Sequence, residues 1–145
     1  MTYQIRPLDA AIETGIFQCG SEQLDSYIRR YASQDVRKNV ARVFVATLGS
    51  NLQQLAAFFT LSAGSVSCAD IPSALAKKLP RYPIPVALIG RLAVDKKFQG
   101  KGLESILLAD ACQKVLYASA VLAKSRKMLC IRDSYTKSPY RLPKI

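Results

Sequence analysis

The residues best suited to chemistry in this sequence form a basic, glycine-containing turn between an apolar run and a helical pattern. The apolar run 86–94 ends at Asp95, and the turn Gln99-Gly100-Lys101-Gly102 leads into the helical pattern. Glycine lets the backbone approach a ligand closely, and the first N–H groups of a helix lack partners and lie at its positive end. Such a turn is suited to bind a phosphate group, and nearby lysines add positive charge: Lys96, Lys97 and Lys101.

Two common nucleotide motifs fit this turn poorly. The ATP-binding loop ends in Gly-Lys followed by Ser or Thr, and the dinucleotide fingerprint needs a third glycine where Ser105 stands. A Gly-x-Gly turn is also often only a tight connection between two elements. The turn alone therefore leaves two interpretations open, a phosphate site and a plain connection.

The absence of histidine restricts the possible chemistry more than any other feature of the composition. It removes the usual base of serine and cysteine triads and the commonest metal ligand. The cysteines are scattered without a Cys-x-x-Cys pair, which indicates neither a disulfide framework nor a thiolate metal site. They are Cys19, Cys68, Cys112 and Cys130. We expect chemistry without metal and without imidazole.

The net charge of +11 favours a polyanionic partner such as nucleic acid. Residues 124–145 contribute +6 of this charge, so the preceding part of the chain is only mildly basic. Within that part, four cations lie on a predicted helix and could contact RNA, although a solvated helix face would look the same. They are Arg29, Arg30, Arg37 and Lys38.

Hydrophobic patterning predicts one α/β domain over residues 1–145. Strands are expected at 2–8, 42–48, 53–62, 86–94 and 128–131. Helices are expected after Ser21, at 73–79 and from Leu103 to about Ala123. The apolar positions of the first helix are Leu24, Tyr27, Ile28 and Tyr31, and those of the last are Leu103, Ile106, Leu107, Ala111, Val115 and Ala118.

No stretch reaches the roughly 18 apolar residues of a membrane span, and the first residues lack the layout of a signal peptide. We expect a cytoplasmic protein that makes no use of a membrane.

The segment Arg91–Leu103 resembles the acetyl-CoA signature of the GNAT acetyltransferases, a strand followed by Arg/Gln-x-x-Gly-x-Gly/Ala. Lys97 departs from the usual Arg or Gln, and Glu104 stands where many members have glycine. The resemblance implies the GNAT fold, a central, mixed but mostly antiparallel twisted sheet flanked by helices. It implies acetyl-CoA as acetyl donor, bound by Leu92, Ala93, Val94, Lys97, Gln99, Gly100, Lys101, Gly102 and Leu103.

Further segments are similar to a GNAT branch of bacterial toxins, over roughly residues 1–123. They are Phe17–Gly20, Leu24–Ile28, Gln34, Arg42–Val45 and Ile89–Asp95. Members of that branch acetylate the α-amine of aminoacyl-tRNA, which blocks translation, and are neutralised by a ribbon-helix-helix antitoxin. The resemblance implies both partners, adds Arg91 to the candidate RNA contacts, and leaves a homodimer open. An α-amine titrates near 8, against about 10.4 for lysine, so it suits an enzyme without a histidine base.

The family's usual acid is a tyrosine in a Phe-Tyr before Gly-Phe, and this chain has no such motif. The candidates are Tyr140 and then Tyr135, although Pro139 prevents a normal helical setting for Tyr140 and both could be surface residues. Residues 124–145 are interpreted as an atypical or truncated tail. Two alternatives stay open: a GNAT enzyme that acetylates a protein or small-molecule amine, and an RNA-binding or antitoxin-binding module without catalysis.

Overall fold

A five-stranded sheet forms the centre of the protein, in the order β1-β2-β3-β4-β5. The computed structural model describes residues 2–66, 84–122 and 129–132. The pairs β1–β2, β2–β3 and β3–β4 are antiparallel, and β5 runs parallel to β4. The strands are β1 (Tyr3–Pro7), β2 (Arg42–Leu48), β3 (Asn51–Val66), β4 (Ile84–Val94) and β5 (Leu129–Arg132). The predicted mixed, mostly antiparallel sheet is confirmed.

Two helical segments flank the sheet. The first consists of α1 (Glu22–Ser26), a π-helical turn (Tyr27–Tyr31) and α2 (Ala32–Arg37). The second is the long helix α3 (Leu103–Leu122), which a short 3₁₀ turn (Lys96–Phe98) connects to β4. Ser21 occupies the predicted N-cap position of α1, but its side chain makes no capping hydrogen bond. The predicted helix at 73–79 lies outside the described residues.

The sheet buries apolar side chains on both faces because a helical segment covers each one. Along β2, Val43 and Val45 lie in the cluster under α1 and α2, whereas Phe44 and Ala46 lie in the cluster under α3. This alternation follows from the two-residue period of a strand. It explains why β2 is an almost continuous apolar run in the sequence.

Tyr31 does not pack in the core as its helical spacing predicts, since 52% of it is exposed. The π-helical turn adds one residue to a turn of the helix and thereby moves the next inward position along by one. Ala32 takes that position and is fully buried. Tyr27, at the start of the turn, is buried as predicted.

The buried stripe of α3 differs from the prediction at Ile106, which is 47% exposed. The inward positions are spaced four apart, and Leu108 widens the stripe in place of Ile106. The regularly spaced core positions are Leu103, Leu107, Ala111 and Val115.

Element boundaries shift by a few residues from those expected. β3 begins at Asn51, directly after the two-residue turn, and β4 begins at Ile84. β4 therefore includes Pro85, one residue before the predicted start of the strand. In the part of the chain that the structure describes, no helix is both long and apolar enough to cross a membrane.

Candidate functional site

The second half of β4 has an open edge. β5 pairs with β4 only along Val86–Ile89, while β3 continues beside β4 to Val94. Among the described residues, no strand pairs with the other edge of 90–94. The backbone groups on that edge have no strand partner, although the Val94 carbonyl accepts a hydrogen bond from the Gln99 side chain.

A β-bulge marks the point where β4 loses its pairing with β5. Phe59 pairs with Leu92, but Leu61 pairs with Ile89, so β4 carries one extra residue opposite Thr60. The Thr60 hydroxyl oxygen accepts a hydrogen bond of 3.0 Å from the Arg91 N–H. A side chain at position 90 would be crowded, because a Cβ there would lie 3.2 Å from that same oxygen and the hydroxyl would have to shift by a few tenths of an ångström.

The direction of the backbone groups beyond the bulge follows from two hydrogen bonds. The N–H groups of Arg91 and Asp95 both point toward β3, and Asp95 donates to the Ala56 carbonyl at 2.9 Å. Because direction alternates along a strand, the N–H groups of Leu92 and Val94 point to the open edge. An extended ligand with amide groups can bind there as an added strand would.

The predicted glycine turn follows this edge directly. Gly100 and Gly102 have φ of +77° and +80°, a region that disfavours side chains, and open space surrounds both Cα atoms. The first helical bond of α3 runs from the Ile106 N–H to the Gly102 carbonyl, so the N–H groups of Leu103 and Ser105 have no partner within the helix. This geometry is suited to bind an anion.

Asp95 holds the turn against the loop Phe17–Gly20. Its carboxylate accepts hydrogen bonds from the N–H groups of Lys97 at 2.9 Å and Gln18 at 3.1 Å. The Lys96 N–H in turn donates to the Gln18 carbonyl at 2.8 Å. Asp95 is buried, so these donors compensate a charge that would otherwise be costly.

Gln99 forms the second connection between the turn and that loop. Its side-chain amide donates to the carbonyls of Cys19 and Val94, both at 2.8 Å. The buried Asp25 carboxylate accepts from the Cys19 N–H at 2.9 Å. Burial, followed by the hydrogen bond with Asp25, raises the pKa of the Cys19 thiol to about 11. No pattern in the sequence indicates the contact of Gln99 with Cys19, because the two residues are 80 positions apart along the chain.

A cleft with a volume of about 710 Å³ lies beside the bulge, against the first helical segment. We call it the Tyr27 cleft. The Arg91 guanidinium carbon lies 3.8 Å from the centroid of the Tyr27 ring, and the Tyr27 hydroxyl donates to Asp35 at 2.8 Å. Burial and the Asp35 carboxylate raise the pKa of Tyr27 well above its usual range. Other lining residues include Glu22, Tyr31, Thr60 and Gly90.

The predicted helix cations are all exposed, but one of them has a structural contact. The Arg29 guanidinium donates to the Phe17 carbonyl. Within residues 2–66, 84–122 and 129–132, none of the four forms a salt bridge. They are Arg29, Arg30, Arg37 and Lys38.

The structure brings the predicted cofactor-binding residues together at one end of β4. Leu92, Ala93 and Val94 form the end of the strand, and Leu103 begins α3. Lys97, Gln99, Gly100, Lys101 and Gly102 lie in the connection between them. Tyr135 and Tyr140 lie outside the described residues. The described residues contain no group of three or more acidic or cysteine side chains that could hold a metal ion.

Comparison with known proteins identifies relatives by sequence. No family model matches the chain. It is 36% identical over 114 residues to a tRNA-acetylating toxin of Mycobacterium tuberculosis, a match that covers 79% of this chain and 66% of the relative. The chain thus spans just under two thirds of that relative's length.

Solved structures agree with this similarity. AtaT complexed with acetyl-methionyl-tRNAfMet superposes with a TM-score of 0.76 at 28% identity, covering 83% of this chain and 73% of AtaT. A mutant AtaT toxin bound to the C-terminus of the antitoxin AtaR and to acetyl-CoA shares the fold, with a TM-score of 0.70 at 24% identity. That match covers 83% of this chain and 69% of the other.

Proposed function

We propose that this chain, which resembles the GNAT acetyltransferases and is similar to a tRNA-acetylating toxin, transfers the acetyl group of acetyl-CoA to the α-amine of aminoacyl-tRNA. Acetylation of that amine blocks its use in translation. The observation that carries the proposal is the continuity of the open β4 edge with the glycine turn. A cytoplasmic location follows from the proposed substrate.

Acetyl-CoA supplies a pyrophosphate, an arm with two amides and an acyl thioester, and the site offers a match to each in order. The N–H groups at Gly100–Leu103 suit the pyrophosphate. The open edge runs back from Val94 to Gly90, about 13 Å at the rise of a strand, which suits the arm. The thioester end then lies at the bulge, beside the Tyr27 cleft.

Transfer needs a neutral amine close to the thioester carbon and a donor for the developing oxyanion. A bond forms from the amine nitrogen to the acyl carbon, the carbon–sulfur bond breaks, and the amine gives up one proton. We assign the oxyanion donor to the Leu92 N–H, the outward donor nearest the bulge. The Val94 N–H, where the strand meets the turn, is assigned to bind the amide-containing arm of acetyl-CoA.

The proton for the departing sulfur needs an acid, and we keep Tyr140 and Tyr135 as the candidates. Tyr27 is also a phenol in the cleft, but its hydroxyl already donates a hydrogen bond to the Asp35 carboxylate. Burial and this hydrogen bond raise the pKa of Tyr27, which makes it a weaker acid than an ordinary tyrosine.

We propose two macromolecular partners. Aminoacyl-tRNA is supported by AtaT, which is described in complex with acetyl-methionyl-tRNAfMet, and by the exposed helix cations Arg30, Arg37 and Lys38. A ribbon-helix-helix antitoxin is supported by the AtaT complex with AtaR. A homodimer stays open.

A cell-free translation reaction tests the proposed function. The protein should arrest synthesis only when acetyl-CoA is supplied, and Gly102→Ala should weaken the arrest. Arrest without acetyl-CoA would favour the RNA-binding alternative. Acetylation of a protein or small amine without any arrest would favour the other acetyltransferase alternative.

A further inference from the structure

The guanidinium of Arg91 lies half-buried in the Tyr27 cleft, and among the described residues it has no carboxylate partner. In the part of the chain that the structure describes, neither salt bridge involves Arg91. One face of the group is occupied, because its carbon lies 3.8 Å from the centroid of the buried Tyr27 ring. A planar guanidinium keeps its N–H donors at its edge, so stacking leaves them free for an oxyanion.

Two hydrogen bonds fix the two residues of this stacked pair, Arg91 and Tyr27. The Arg91 N–H is bound to Thr60 at the bulge, and Thr60 is only 2% exposed. On the helical side, the Tyr27 hydroxyl is bound to Asp35, eight residues along the chain and across the π-helical turn. The strand therefore fixes the backbone of Arg91, and the helical segment fixes the ring on which its guanidinium stacks, which is the arrangement expected of a preorganised anion site.

The charges of the cleft are divided between its two walls. Arg91 is the cation on the strand wall, and Glu22 and Asp35 are the carboxylates on the helical wall. A phosphate is attracted to the first wall and repelled by the second, and an ammonium group behaves in the opposite way. An acceptor that carries both charges would bind in one orientation.

We propose that Arg91, held against Tyr27, binds the last internucleotide phosphate of the single-stranded 3′ end of the acceptor RNA. The choice of RNA rests on the proposed function. The esterified amino acid follows this phosphate by a single nucleoside, and the bulge adjoins the cleft, so this contact would direct the α-amine toward the thioester. Tyr27 is then a positioning residue, and Arg91 is a substrate-binding residue separate from the exposed helix cations.

Binding of the labelled trinucleotide CCA tests the proposal without any acetyl transfer. Two analogues each replace one phosphate by an uncharged methylphosphonate, at the last or at the first linkage. Wild type should bind CCA about tenfold more tightly than the last-linkage analogue, the scale of a charge-assisted hydrogen-bonded contact. The first-linkage analogue should lose much less affinity relative to CCA.

Arg91→Gln should abolish the preference for the charged last linkage. Arg42→Gln, which makes the same change of charge at an exposed residue outside the cleft, should retain it. Tyr27→Phe keeps the ring and should retain most of the preference, whereas Tyr27→Leu should reduce it, in protein verified as folded by circular dichroism.

A wild-type protein that does not distinguish the two linkages would overturn the proposal, and so would a preference that survives Arg91→Gln. Failure of the proposed function has a different signature. In that case CCA binding would still depend on Arg91 and on the last phosphate, but no acetyl group would reach the aminoacyl end.

Discussion

The hydroxyl oxygen of Thr60 accepts a 3.0 Å hydrogen bond from the backbone N–H of Arg91, the residue that the β-bulge adds to β4. This bond replaces the ladder pairing that the bulge removes. It lies at the point where β5 no longer pairs with β4. The open edge, the Tyr27 cleft and the proposed thioester position all adjoin this contact.

Thr60→Val should therefore destabilise the protein and impair any transfer activity. Valine has a similar shape but leaves the Arg91 N–H without its acceptor, which costs about 1–3 kcal/mol in a buried setting. Urea denaturation measures the loss. Thr47→Val is the matched control, since Thr47 is equally buried but its hydroxyl makes only a long contact of 3.5 Å with the Gln4 carbonyl. An equal loss in the two variants would contradict the role assigned to Thr60.

Gly100→Ala and Gly102→Ala should weaken acetyl-CoA binding by about tenfold or more. Neither methyl group meets an atom within 4 Å, so the cost comes from the positive φ, about 1–2 kcal/mol each, and from the obstructed approach to the N–H groups. Isothermal titration calorimetry gives the affinity. Gly15→Ala is the control. Its methyl group also meets no atom within 4 Å and Gly15 has no positive φ, so this variant should bind acetyl-CoA as wild type does.

The Cys19 thiol should resist alkylation at neutral pH. Its pKa is raised to about 11 by burial and by Asp25, so the reactive thiolate is scarce until the solution is strongly alkaline. Iodoacetamide labelling, resolved at Cys19 by peptide mass spectrometry, should rise as pH approaches 11. Asp25→Asn should shift this rise to lower pH, and rapid labelling of folded wild type at pH 8 would refute the assignment.

The same shift predicts the sign of a pH effect on stability. The folded state favours the protonated thiol more than the unfolded state does, whose pKa is near 9.0. The resulting contribution is complete below pH 9 and disappears as the pH rises through about 11. Cys19→Ala should remove this part of the decline in stability, as followed by urea denaturation across that range.

The π-helical turn predicts opposite outcomes at two tyrosines. Tyr27→Ala should cost about 3–5 kcal/mol because it empties a core position. Tyr31→Ala should change stability by less than about 0.5 kcal/mol because that side chain is half-exposed. Thermal denaturation of both variants measures the two losses of stability. A large loss of stability in Tyr31→Ala would mean that the helix buries Tyr31 and would contradict the prediction.

Much of this architecture is predictable from local pattern. The β-branched run of β2, the apolar run of β4 and the glycine pair before α3 each locate an element or a turn within a few residues. The same approach fails at Tyr31 and Ile106. At Tyr31, the prediction assumes an unbroken helical period, whereas a π turn intervenes. At Ile106, it misplaces the inward stripe of the helix.

The connections within the site are a different matter. Thr60 meets Arg91, and Gln99 meets Cys19, only after the sheet has formed, and Asp35 reaches the Tyr27 cleft through the π turn. No spacing in the sequence encodes these contacts. The chemistry of the glycine turn could be predicted, but the cleft beside it could not.

Mass analysis of the aminoacyl end after the reaction is the most direct test of the central claim. Aminoacyl-tRNA would be incubated with the protein and acetyl-CoA and digested with nuclease, and the released aminoacyl-adenosine would then be weighed. The account predicts an added acetyl group on the α-amine. None should appear on uncharged tRNA or on tRNA whose α-amine is already formylated, and Gly102→Ala should reduce the yield. Bound acetyl-CoA with an unchanged aminoacyl-adenosine would contradict the claim.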